Sequence, residues 1–270
     1  MENFTFKDRY GIDDLLGIMA VLRAPGGCPW DAEQTHESIK KDFIEETYEV
    51  IEAINKKDKT LLEEELGDVL LQVVFHAQIE KEAGSFDFSD VCDGICKKLI
   101  ERHPHVFGEV KVNGTDEVLS NWDDIKRKSK GQKTQGSSML KVPKELPALM
   151  RSQKIQQKAK KAGFDWDTVD GAFEALESEI AELKTAMKSG VQEDITEEFG
   201  DLLFSCVNVS RFIGVDSEEA LNLSTEKFIS RFLEVERLAA EGSIDMKSST
   251  IEELDRLWLQ AKKNLVSNRA

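Results

Sequence analysis

The four tryptophans of this chain form two pairs with a single spacing: Trp30 and Trp166 are 136 residues apart, and so are Trp122 and Trp258. Their surroundings agree as well. Trp30-Asp31 answers Trp166-Asp167, and Trp122-x-x-x-Lys126 answers Trp258-x-x-x-Lys262. Between the tryptophans, Glu46-x-x-Glu49 and Glu65-x-x-Asp68 match Glu179-x-x-Glu182 and Glu198-x-x-Asp201 at a displacement of 133 residues. Lys98-x-x-x-Arg102 likewise matches Lys227-x-x-x-Arg231. One order of features, with displacements that shift slightly as loops change length, is the mark of a duplicated domain. The expected division is an N-terminal copy over 1–127, a Lys-, Ser- and Gly-rich linker over 128–142, and a C-terminal copy over 143–270 opened by Pro143 and Pro147.

The local periodicity is helical. Ile44, Tyr48, Ile51 and Ile54 follow the three-to-four spacing of an amphipathic helix, which the polar run from Asn55 to Thr60 interrupts. A second helix is expected from about Leu61 to Ile79. Its stretch from Val69 to Phe75 is apolar nearly all round, as is Leu202 to Val209 in the other copy, a pattern suited to the inside of a bundle. No alternating strand pattern stands out. The fold class expected is all-α, with two tandem copies of a four- to five-helix bundle.

Residues three apart on a helix share a face, so Glu46 with Glu49 and Glu65 with Asp68 each set two carboxylates side by side. For the first helix alone, an ordinary solvated acidic face explains the pattern equally well. The second helix argues for more. Glu65, Asp68 and Gln72 fall among Leu61, Val69, Phe75 and Ile79, and Glu198, Asp201 and Ser205 fall among Ile195, Leu202, Val209 and Phe212. Carboxylates turned toward a core repel one another and resist desolvation unless a cation compensates. Oxygen-only ligands favour a hard ion, Mg²⁺ with Mn²⁺ as substitute, and magnesium suggests phosphate chemistry. Lys98 with Arg102 and Lys227 with Arg231 recur one turn apart, suited either to phosphate oxygens or to an exposed basic face. Trp122 and Trp258 can stack on a base or serve as core.

Several other classes are disfavoured. A formal net charge of -16 argues against a nucleic acid polymer as partner, and no apolar run reaches membrane-spanning length. With no signal-peptide core at the N-terminus, the protein is expected to be cytoplasmic. Cys28, Cys92, Cys96 and Cys206 show no Cys-x-x-Cys spacing, the four histidines do not repeat between the copies, and no Gly-x-x-x-x-Gly-Lys phosphate loop is present.

The strings Gly27-Cys-Pro-Trp-Asp31, Glu45-Glu-Thr-Tyr-Glu-Val50, Arg102-His-Pro-His-Val-Phe107, Gly163-Phe-Asp-Trp166 and Gly200-Asp-Leu-Leu-Phe204 resemble signatures of the MazG family of nucleoside triphosphate pyrophosphohydrolases in its two-domain form. The resemblance covers nearly the whole chain. It implies an all-α homodimer that splits nucleoside triphosphates, normal or damaged, into monophosphate and diphosphate with Mg²⁺. By the same resemblance the C-terminal copy is catalytic. Glu179, Glu182, Glu198 and Asp201 would hold the metal, and Lys227, Arg231, Trp258 and Lys262 the nucleotide. Their N-terminal counterparts are Glu46, Glu49, Glu65 and Asp68, with Lys98, Arg102, Trp122 and Lys126. Ser178 and Asp194 stand where the family often has Glu and Lys. Two other readings are a dUTPase-like enzyme confined to one pyrimidine substrate, and a helical scaffold that holds metal for stability alone.

Overall fold

The computed structural model describes residues 5–115, 117–118, 121–122, 125 and 134–267. The chain forms two compact units, Met1–Lys126 and Arg127–Ala270. All regular structure among the described residues is helical. None of these helices is long and apolar enough to cross a membrane.

The first unit contains α1 (Ile12–Arg23), α2 (Pro29–Glu33), α3 (His36–Lys56), α4 (Lys59–Glu82), α5 (Phe88–Arg102) and the short α6 (Pro104–Phe107). Its centre is the α3–α4 hairpin. Thr35 caps α3 by accepting from the Ser38 amide, while the Ser38 hydroxyl accepts from the Thr35 amide. The helix stops at Lys57, a non-glycine residue in the left-handed region with φ 56°, and Asp58 then caps α4 through the amides of Thr60 and Leu61. Met19, Ile39, Val74 and Phe75 form the core, with Leu15, Leu16, Leu71, Ile79 and Phe88 packed around them. These residues draw α1, α3, α4 and α5 together.

The second unit contains α7 (Gln135–Met139), α8 (Ala148–Lys161), α9 (Val169–Ser189), α10 (Gln192–Phe212), α11 (Ser217–Glu241) and α12 (Ile251–Ser267). Both ends of α9 lie 133 residues beyond those of α3, and α10 begins 133 residues after α4. The hairpin turn is repeated too, with Gly190 at φ 73° where the first unit has Lys57. The same displacement relates the buried residues Ile39 to Ala172, Ala53 to Ala186, Gln72 to Ser205 and Val74 to Val207. Duplication is therefore visible in the backbone and in the core. Gln156 of α8 ties this hairpin down by donating to the Phe204 carbonyl at 2.8 Å.

In the described part of the 128–142 stretch, α7 packs on α8, with Ser138 and Val142 buried. One expectation changes: the apolar stretches of α4 and α10 are not enclosed on all sides, because Leu70, Leu203 and Phe204 are exposed. A nearly uniform apolar surface marks a helix as a packing element but does not say which neighbours cover it.

Candidate metal centre

The hairpins bring the acids together. In the first unit, carboxylate oxygens of Glu46, Glu49 and Glu65 all lie within 4.8 Å of one another, and in the second those of Glu179, Glu182 and Glu198 do the same. Two turns of one helix thus face one turn of its partner. Asp68 and Asp201 stand outside these triplets yet close enough to act on them electrostatically.

Crowding like charges changes their proton affinity. Burial, then Asp68, Glu49 and Glu65, push the Glu46 carboxyl up to about 7. Glu65 is raised by burial and by Glu49, Asp68 and Glu64. In the second unit, burial followed by Glu182, Asp201 and Glu198 raises Glu179. Glu198 is raised by burial and then by Glu182, Asp201, Glu197 and Asp194. Among the described residues, no ion pair engages any of the six triplet carboxylates. Three hard oxygen donors with unbalanced negative charge form a donor set suited to a divalent cation such as Mg²⁺ or Mn²⁺.

The copies differ in access. Glu65 is buried and Asp68 half-buried, whereas Glu198 is half-buried and Glu182 and Asp201 are exposed. The expectation that Asp201 turns into the core is not met, because Asp201 is exposed. Beside the second triplet is a cavity of about 380 Å³ lined by Ala181, Glu182, Thr185, Ala186, Ser189, Asp194 and Glu198. Thr185 and Ser189 already donate their hydroxyl protons to the Ala181 and Ala186 carbonyls, and Ser178 donates to Glu182 at 2.8 Å. Thr185 and Ser189 went unnoticed in the sequence, although their four-residue spacing places them on one helical face.

The aromatic and basic residues form their own pairs. The Arg231 guanidinium lies 5.7 Å from the Trp258 ring centre, and Arg102 lies 5.1 Å from that of Trp122. Phe228 packs against Trp258 with ring centres 5.3 Å apart. Lys98, Lys227 and Lys262 are exposed, and Lys126 lies outside the described residues. Two histidines that the sequence left unassigned, His36 and His76, meet across the first hairpin. They are 40 residues apart and have no counterpart in the second copy, so neither helical spacing nor the duplication signals the contact.

An all-helical domain with a carboxylate triplet on a helix hairpin, present twice in one chain, defines a tandem acidic-site protein. Comparison with known proteins makes the class specific. The model of the MazG nucleotide pyrophosphohydrolase domain matches residues 34–107 and 168–235, spanning both hairpins. The nucleoside triphosphate pyrophosphohydrolase/pyrophosphatase MazG of Thermotoga maritima is 46% identical over 250 residues, covering 93% of this chain and 95% of that protein. A nucleoside triphosphate pyrophosphohydrolase of Escherichia coli is 45% identical over 255 residues, 93% of this chain and 97% of that protein. The uncharacterized protein YabN of Bacillus subtilis is 46% identical over 247 residues, 91% of this chain but 50% of its own length. The chain belongs to the MazG family.

Proposed function

We propose that this protein hydrolyses nucleoside triphosphates to nucleoside monophosphate and diphosphate, with Mg²⁺ as cofactor and a range that takes in several normal or damaged substrates. The observation that carries this reading is the pair of carboxylate triplets set on matched helix hairpins inside a MazG chain. Magnesium bound there offsets the charge of the triphosphate and of the departing diphosphate. The active copy in this proposal is the C-terminal one, because the cavity bordered by Glu182 and Glu198 gives a substrate room beside the acids.

Glu179, Glu182, Glu198 and Asp201 hold the ion in this scheme, and Glu179 or Glu182 takes the proton of the attacking water. The water oxygen bonds to the α-phosphorus as the bond to the bridging oxygen breaks, and the electron pair leaves with diphosphate. Arg231, Lys227 and Lys262 neutralise phosphate oxygens, with Trp258 beside them. Glu46, Glu49, Glu65 and Asp68 form a second ion site.

The chain is proposed to act as a homodimer. Phe199, Leu203 and Phe204 of α10 and Leu221, Phe228 and Leu233 of α11 are exposed, a large amount of apolar surface for an isolated unit. The test is product analysis over a panel of nucleoside triphosphates with and without Mg²⁺. Monophosphate and diphosphate in equal amounts are expected, and the absence of Mg²⁺-dependent turnover on every triphosphate would leave a structural metal-binding scaffold as the better account.

A further inference from the structure

About 16 Å along α4 from Glu65, at 1.5 Å per residue, the N-terminal hairpin carries a second polar cluster. Nδ1 of His36, the first residue of α3, lies 2.7 Å from Nδ1 of His76 on α4, and its Nε2 lies 2.7 Å from Oε1 of Glu80. The two rings are nearly parallel, at 10° with centres 5.0 Å apart, and Phe43 packs edge-on against His76. The positions displaced by 133 residues in the other hairpin are Val169, Val209 and Ile213. The same scaffold thus has aliphatic side chains in one copy and three titratable ones in the other.

Hydrogen-bond chemistry limits the protons this cluster can hold. Glu80 as a carboxylate only accepts, so Nε2 of His36 must donate to it. Between the two Nδ1 atoms there is room for one proton. Either His76 donates to a neutral His36, or a cationic His36 donates to a neutral His76. In both cases the pair carries at most one positive charge. A second charge would set two N–H groups against each other at 2.7 Å.

We propose that His36, His76 and Glu80 form an acid-sensitive latch that joins the start of α3 to the latter part of α4 and opens when both imidazoles are protonated. Burial, and then the neighbouring His36, hold His76 below the usual imidazole range, so the closed form resists that second proton. The sign follows from linkage: unfolded histidines bind the second proton more readily, so the N-terminal unit loses stability as pH falls through the ordinary imidazole range.

Several of the other charges on the packed elements are engaged elsewhere. Arg23 of α1 binds Glu82 and the carbonyls of Asp31 and Gln34, and Asp14 of α1 binds Lys7. On α5, Asp87 and Asp90 are engaged in the N-terminal cap. On α3 itself, Glu37 and Lys40 are exposed.

The full-length protein is tested in two ways. Imidazole nitrogen NMR of the wild type should show His36 and His76 titrating together in two separated steps. Thermal unfolding at about pH 7.5 and about pH 5.5, values that straddle the imidazole range, should show a larger acid-induced drop in midpoint for wild type than for the combined variant His36→Val, His76→Val, Glu80→Ile. That variant borrows the side chains of the second copy. Independent single-step titration of the two histidines, or an equal drop in both proteins, overturns the proposal. Should the variant fail to fold, the wild-type NMR decides alone.

Discussion

Arg231 and Trp258 meet through the face of the indole, and Arg102 and Trp122 repeat the contact in the other unit. A guanidinium held over a ring keeps its in-plane N–H groups free for phosphate oxygens. The same ring face is then closed to a nucleobase. Trp258 is therefore better suited to holding Arg231 than to stacking on a base. Arg231→Ala and Trp258→Leu should each raise KM by on the order of tenfold, about 1.4 kcal/mol, and the double variant should be little worse than Arg231→Ala alone. Fully additive losses would show that Trp258 contacts the nucleotide independently.

The reaction predicts the fate of the water oxygen. In isotopically labelled water the label should appear in nucleoside monophosphate and not in diphosphate, read by mass spectrometry. Label in diphosphate would place the attack on the β-phosphorus.

Assigning turnover to the C-terminal copy makes Glu198 the more sensitive triplet residue. Glu198→Gln should lower kcat by on the order of 100-fold, since an amide lacks the anionic oxygen that a hard ion prefers. Glu65→Gln should leave most activity. The reverse order would move the active centre to the N-terminal hairpin.

Glu46 gives the metal-free protein a definite pH dependence. A folded-state carboxyl raised to about 7 contributes stability that is complete below the ordinary carboxylate range and lost as pH rises through about 7. Bound Mg²⁺ would hold the carboxylates ionised and relieve their repulsion. Its addition should raise the unfolding midpoint more at about pH 8 than at about pH 6, and calorimetry in buffers of different ionisation enthalpy should detect proton release at the lower pH. No change in midpoint on adding Mg²⁺ at the higher pH would argue against a cation between these acids. This effect opposes that of the histidine latch in sign, and comparison with the aliphatic variant separates them.

The buried ion pair of the second unit makes a stability prediction. Arg211 binds both oxygens of Asp165, with side chains only 7% and 15% exposed. Asp165→Ala would leave the guanidinium without its carboxylate, with Asn208 as its remaining hydrogen-bond acceptor, and should cost about 3 kcal/mol, measured by urea unfolding. A loss below about 1 kcal/mol would mean that water reaches Arg211 readily.

Much of this was legible in the sequence because helical spacing and duplication impose order on few residues. Two Glu-x-x-Glu pairs with matched partners sufficed to locate both hairpins and the acids that converge. Burial was less legible: Glu65 is buried and its counterpart Glu198 only half-buried, while Asp68 is half-buried and its counterpart Asp201 exposed, although each pair occupies the same position in the acidic motif. That difference depends on neighbouring elements beyond the helix's own period. The His36–His76 contact and the Arg211–Asp165 pair were hidden for a related reason, since each joins residues far apart in the chain and neither is duplicated.

The unlike linings of the two hairpins also bear on how the chain finds its fold. A polypeptide with two helix pairs of similar length and core faces a choice of partners while it collapses, and crossed assembly is a common failure of duplicated domains. Joining α3 to α10 would set His36 against Val209, and joining α9 to α4 would set His76 against Val169. Each error removes the native hydrogen-bond partner of an imidazole nitrogen, whereas the native pairing keeps it. The native pairing of the histidines thus favours each helix's own mate over the crossed one.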